Sequence, residues 1–306
     1  YPEKLESSWR FANKIWNAGR YILITIQKDT SLDPPKTVDS EMACWLLHGL
    51  NNLILYTQAG LNNHRLSDVA DNLKSFFWSN FCDWYLEMDK NSERSPEDNQ
   101  VLAYAFTTLL KLLHPFLPFV TEKLWGFFDQ SKILAISEWP QPQKYNFSLE
   151  YERIEIIKEC ISEIRALREK TNIPIKQKID VTLESEKNAK LFRSHSRLIV
   201  SLASLDNLKI YEKESKKIKD DLCSYFQETL VTVEASLFNR KKEIDVLKKK
   251  LKTEMDFLEK SQKKLKNEGF LNKAPQKIVL ELREKVALTE KTVFVLKKKL
   301  IDLDIK

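Results

Sequence analysis

Between Glu6 and Gln27 the apolar residues Ala12, Ile15, Trp16, Gly19, Ile22, Leu23 and Ile26 recur at spacings of three and four, and Arg10, Asn13, Lys14, Asn17 and Arg20 fill the other side. That rhythm predicts a helix with one buried face. Asp33-Pro34-Pro35 breaks the chain, and Asp39 or Ser40 can cap a second helix that runs through Trp45, Leu46, Leu50, Leu53 and Ile54 to about Leu61. Ser67 to Lys90 reads as a third helix, dense in aromatics. A fourth opens at Ser95-Pro96-Glu97 and stops at His114-Pro115-Phe116-Leu117-Pro118, and Thr121 to Phe128 makes a short fifth. Amphipathic helices joined by short breaks predict an antiparallel helical bundle over residues 1–142.

After Trp139-Pro140-Gln141-Pro142 the texture changes. A charged amphipathic helix is expected over Leu149–Lys170 and another near Asn188–Ala203, with alternating strand patterns at Lys178–Leu183, Asn207–Tyr211 and Thr229–Ala235. Residues 143–236 therefore read as a small α+β module. In residues 237–306, Val279, Leu282, Val286, Thr289, Val293, Leu296, Leu300 and Leu303 keep a strict 3-4 alternation, and Ile244, Leu247, Leu251, Leu258 and Leu265 hold the same frame. Glu254 and Ser261 are the weak seam positions of the first arm, and Glu268 to Pro275 supplies a helix-ending glycine and a proline. An antiparallel coiled-coil hairpin is expected. Its heptads layer Leu251 with Leu296, Leu265 with Leu282, Glu254 with Val293 and Ser261 with Val286. The predicted fold is mostly α.

Charge sharpens this picture. The chain carries 50 Lys and Arg against 44 Asp and Glu, a net +6, yet Arg240 to Lys306 alone holds 20 against 11. A basic tail at +9 on a remainder near −3 suits a polyanionic partner, although a solvated lysine-rich helix surface gives the same count. No stretch approaches the length of apolar chain that spans a bilayer, so no membrane partner and a cytoplasmic location are expected. Cys44, Cys82, Cys160 and Cys223 lie far apart, in no metal-ligand or disulfide pattern, and no metal site is predicted. Asp83 and Glu87 sit four apart on one helix, but nothing near them suggests acid-base chemistry, and pairing with Lys90 or Arg94 is the simpler role.

Arg10 to Tyr21, in one-letter code RFANKIWNAGRY, resembles the first helix of the anticodon-binding domain in valyl-, isoleucyl- and leucyl-tRNA synthetases. Phe81 to Glu87, Leu112 to Trp125 and Ser137 to Pro140 resemble that family's later helices and exit, in the same order. The hairpin turn Leu265 to Pro275, with Ile164 to Arg168 and Asn172 to Pro174, resembles the bacterial valyl type. A proline-leucine-glycine turn expected before the coiled coil is missing near Leu230 to Leu237. The family's histidine-x-glycine-histidine and lysine-methionine-serine-lysine-serine signatures are absent from these residues. The resemblance implies the tRNA-binding carboxyl-terminal portion of a ligase, monomeric, acting on tRNA specific for valine. It implies no catalytic residue and no cofactor in this chain, with ATP and Mg belonging to the intact enzyme.

The candidate RNA-binding residues fall in two groups. Arg10, Asn13, Lys14, Asn17 and Arg20 share the polar face of the first helix, where cations neutralise phosphates and asparagines read the edges of splayed bases. On the hairpin, the register sets Lys248, Lys249 and Lys250 alongside Lys297, Lys298 and Lys299, and Lys263, Lys264, Lys266 and Lys273 crowd the tip. The resemblance implies that this hairpin lies on the outer corner of tRNA, where D and T loops meet. A free-standing tRNA-binding protein derived from a synthetase, and a structural coiled-coil protein, remain the alternatives.

Overall fold

The computed structural model describes residues 2–90, 94–170, 173–212, 222–233, 237–266 and 276–304. Its first half is a helical bundle of α1 (Pro2–Thr25), α2 (Glu41–Asn62), α3 (Leu66–Ser75), a π-helix (Phe76–Tyr85), α4 (Leu86–Asp89), α5 (Pro96–Leu113) and α6 (Pro118–Phe128). Sequence explains the starts. Ser40 accepts from the Ala43 amide, and Ser95 with Asp98 forms a reciprocal capping box behind Pro96. α5 is the central helix, apolar nearly all round and buried from Val101 to Leu110.

Two expectations for this half need correction. The stretch read as one α-helix over Ser67–Lys90 changes to π geometry through Phe76–Tyr85, because its bulky aromatics pack inward at positions a 3.6 repeat alone does not supply. The buried stripe of α1 is Phe11, Ile15, Ala18, Gly19 and Ile22, with Ala12, Trp16, Leu23 and Ile26 only partly covered. The helix is thus rolled toward Phe11 and Ala18. Lys14, one turn from each, sits at the edge of the buried face.

α7 (Ser148–Lys170) joins two cores: Ile154 belongs to the bundle's, and Ile157, Cys160, Ile161, Ile164 and Leu167 pack into the second. That second core lies under a four-stranded sheet of order β2-β1-β4-β3. β1 (Ile179–Glu184) pairs parallel with β2 (Leu205–Tyr211) across a crossover made of α8 (Ala189–Ser194) and α9 (Ser196–Ala203). The helix expected as one piece near Asn188–Ala203 is broken at His195. β4 (Thr229–Val233) pairs antiparallel with β1 and with β3 (Leu222–Phe226), a strand the alternation did not reveal. Residues beyond Val233 of the expected last strand lie outside the described residues.

The hairpin is α10 (Leu237–Lys266) against α11 (Gln276–Asp304). Ser261, Val286, Thr289, Leu296 and Leu300 are buried, and Leu247, Leu251, Glu254, Leu258, Leu265, Leu282 and Val293 are half-buried, so the seam follows the heptad positions. Gln262 Nε2 donates to Glu290 Oε1 across it at 3.0 Å. The expected turn at Glu268–Pro275 lies outside the described residues.

Candidate nucleic-acid interface

The five polar residues of α1 do not present one uniform surface. Arg10 is exposed but pairs with Glu6 at 2.5 Å, one turn away. Lys14 is drawn inward: its Nζ lies 2.9 Å from Asp83 Oδ1 of the π-helix and 5.2 Å from the Trp78 ring centroid. Asn13 is half-buried beside it. Asn17 and Arg20 are exposed, and neither side chain bonds another described residue. The expected array therefore resolves into a neutralised amino-terminal part and a cationic carboxyl-terminal part centred on Arg20.

Asp83 and Glu87 are structural: the first holds Lys14, and Glu87 pairs with Lys90 at 2.5 Å. Arg94 grips the buried Asp89 and donates to the Tyr21 hydroxyl at 3.1 Å, tying α4 to α1. Of the aromatics that invite a stacking role, Phe81, Tyr85 and Trp125 are buried, and Trp78, Trp84 and Phe128 pack partly covered against the cores. Near Arg20, Gly19 permits close contact with α6, since a Cβ there would meet Leu124 at 2.6 Å. On the exposed side of α6, Phe119 is 90% exposed; it is an apolar residue in the first turn of a helix whose buried side is already supplied by Thr121, Leu124 and Trp125.

On the hairpin, the side chains of Lys248, Lys249, Lys250 and Lys297 are exposed, and none pairs with a carboxylate among the described residues. Lys263 is held by Glu259 at 2.6 Å, while Lys264 and Lys266 point into solvent. Lys273 and the side chains of Lys298 and Lys299 lie outside the described residues. Among the described residues no group of His, Cys, Asp and Glu could hold a metal ion, and no helix is long and apolar enough to cross a membrane.

Among the described residues, a helical bundle whose exposed Arg20 has no carboxylate partner, a small α+β module and a coiled coil bearing exposed lysines make an architecture that suits the tRNA-binding region of a tRNA ligase. Residues 43–183 match the family described as the anticodon-binding domain of tRNA ligase, and residues 240–304 match the valyl tRNA synthetase tRNA binding arm. The chain belongs to the valyl-tRNA synthetase family. It is 31% identical over 305 residues to a valine–tRNA ligase of Aquifex aeolicus, covering 90% of this chain and 26% of that protein. A valine–tRNA ligase of Borreliella burgdorferi is 32% identical across 88% of this chain, and that of Bacillus subtilis 30% across 92%. The chain spans about a quarter to a third of the length of these relatives.

Proposed function

We propose that this chain is the tRNA-binding, carboxyl-terminal portion of a valine–tRNA ligase, the enzyme that joins valine to its tRNA at the expense of ATP, releasing AMP and diphosphate. The observation that carries the reading is the union in one chain of an anticodon-binding domain and the valyl-type arm, each with solvent-facing cations that lack a carboxylate partner among the described residues. In this role the bundle meets the anticodon loop through Asn17 and Arg20, and the hairpin meets phosphates of the tRNA corner. The partner is tRNA specific for valine, bound by a monomer in the cytoplasm. ATP with Mg, valine and the chemistry belong to parts of the enzyme that this sequence does not contain, so the chain alone is expected to have no valine-dependent pyrophosphate exchange.

The direct test is a gel-shift series with the 306-residue chain, comparing tRNA specific for valine with other tRNAs at two salt concentrations. Preferential binding of the valine tRNA, weakening steeply with salt, is the expected result. Equal and feeble binding of every tRNA, or a stable protein dimer that binds none, would overturn it.

A further inference from the structure

We propose that α6 supplies the second wall of the RNA site, with Phe119 as a base-stacking platform and Lys123 as a phosphate contact beside Arg20. This inference rests on the reading that the exposed side of α1 meets an unpaired RNA loop.

The geometry begins at Gly19, whose lack of a side chain lets α6 lie close against α1. Trp16 meets Phe127 edge-on, with ring centroids 6.4 Å apart, while Gly19 faces Leu124. The two helices are therefore antiparallel, and the pairing continues from Trp16 and Phe127 toward Ile24 and Phe119. Along α6, Phe119, Lys123 and Phe127 recur every four residues, about 6 Å per step. Along α1, Trp16, Arg20 and Ile24 do the same. Continued at the register of those two contacts, Arg20 falls opposite Lys123 and Ile24 opposite Phe119, so the exposed Ile24, Phe119 and Phe127 and the half-covered Trp16 alternate with the two cations.

Packing among the described residues leaves this ridge uncovered. Phe119 is 90% exposed, Ile24 81% and Phe127 49%, although Leu124 and Trp125 of the same helix are buried. The cations are likewise unoccupied: Arg20 and Lys123 are exposed and have no carboxylate partner among the described residues. The nearby acids are committed elsewhere. Glu122 accepts from the Leu134 and Ala135 amides, and Asp129 accepts from the Ser131 amide and hydroxyl. Lys123 Nζ lies 5.4 Å from the Phe127 centroid, so the ring orients the cation without neutralising it.

The chemistry of the occupant follows from that alternation. A protein partner would have to place two carboxylates among apolar side chains at the spacing of Arg20 and Lys123. A single-stranded RNA loop offers a flat base for each exposed ring and a phosphate for each cation at comparable spacing. Duplex RNA stacks its bases internally and offers nothing to Phe119.

The test uses the full 306-residue chain and an isolated anticodon stem-loop of valine-specific tRNA, with 2-aminopurine at successive unpaired loop positions. Phe119→Ala should weaken stem-loop binding by about 5- to 100-fold and abolish the quenching of one loop position, whereas Phe119→Trp should retain both. Lys123→Gln should lower the slope of log affinity against log salt by about 0.7. Circular dichroism should be unchanged, because both side chains are exposed. Wild-type affinity and quenching in Phe119→Ala, with binding weakened in Arg20→Gln, would overturn the α6 wall and leave the α1 reading standing. If Arg20→Gln is also silent, the RNA site lies elsewhere and both fall. Equal affinity and quenching in Phe119→Leu and wild type would make the contact merely apolar and reject stacking.

Discussion

Lys158 Nζ stands 4.5 Å above the ring centroid of Trp45, and the lysine and the indole N–H both donate to Glu155 Oε1, each at 2.7 Å. The same ammonium lies 5.5 Å from Trp84, a ring packed against both cores. Trp45 is on α2 and Lys158 on α7, so this cluster fixes the bundle to the helix that carries the sheet module. Arg165, about two turns further along α7, repeats the device at 5.2 Å from Trp84 while donating to the Leu202 carbonyl.

Replacing Lys158 by Met keeps the aliphatic stem and removes the cation. The expected loss is about 1 to 2 kcal/mol, the scale of a largely desolvated cation–π contact. Urea denaturation followed by tryptophan fluorescence measures it. An unchanged midpoint would show that packing of the stem is the whole contribution.

Arg168 is buried, and its guanidinium donates to the carbonyls of Ala203, Ser204, Pro174, Ile175 and Gln177. One side chain thereby gathers the end of α9, the start of β2 and the segment leading into β1. A planar fork with several N–H groups can do this; an ammonium, with its donors on one atom, cannot reach both groups of carbonyls. Arg168→Lys should cost about 3 kcal/mol, since several buried acceptors lose charge-assisted partners. Hydrogen exchange in β1 should accelerate with it. Protection equal to wild type would mean that the loop holds itself.

What could be read beforehand follows from which forces are local. The helices of the bundle, the Ser95 cap and the hairpin seam are written in spacings of three and four and in side chains that bond within one turn. β3 escaped because its hairpin turns at Gln227 and Glu228, both at positive φ, where an asparagine-glycine signal would ordinarily announce the turn. Lys14 was grouped with Arg20 because both lie on the polar side of α1; its partner Asp83 is 69 residues away, and only tertiary packing brings them together. The exposed ridge of α6 was hidden for the opposite reason. Phe119 looks like core in a sequence, and only the folded chain reveals that nothing covers it. Arg168 likewise reads as one more surface charge on a charged helix.

The thiols separate cleanly. Burial pushes Cys44, Cys82 and Cys160 each up to about 12, with Glu150 adding to the effect at Cys44 and Glu163 at Cys160. At pH 8 their thiolate fraction is about one in ten thousand, and all three are buried. Cys223 is exposed. A disulfide reagent at pH 8 should therefore label one thiol per native chain quickly and the other three only after denaturation, as mass spectrometry of the labelled peptides can establish. Rapid native labelling of Cys160 would mean that the second core opens readily.

In the hairpin, the partly polar seam and the crowded lysines can be tested together. Glu254 is a half-buried carboxylate at a seam position that the heptads layer with the half-buried Val293, so Glu254→Leu is expected to raise the melting temperature of the arm. Thr289, the polar member of the other arm, is already accommodated by donating to the Lys285 carbonyl at 2.8 Å, and changing it should matter less. The register expected from the heptads would bring Lys248, Lys249 and Lys250 to the level of Lys297, Lys298 and Lys299. Repulsion between like charges costs a few tenths of a kcal/mol per exposed pair, and a coiled coil built for stability alone would set Glu opposite Lys. The arrangement makes sense if an anion is to come between them. Changing all six lysines to Gln should stabilise the hairpin slightly and weaken binding of full-length tRNA whatever its anticodon. It should also reduce the log-log salt slope by about 0.7 to 0.9 for each phosphate no longer neutralised. The isolated anticodon stem-loop, which has no corner, should bind the substituted protein as well as wild type. If tRNA affinity and slope both survive the six changes, the RNA must instead meet the tip, where Lys264 and Lys266 remain exposed while Lys263 is engaged by Glu259.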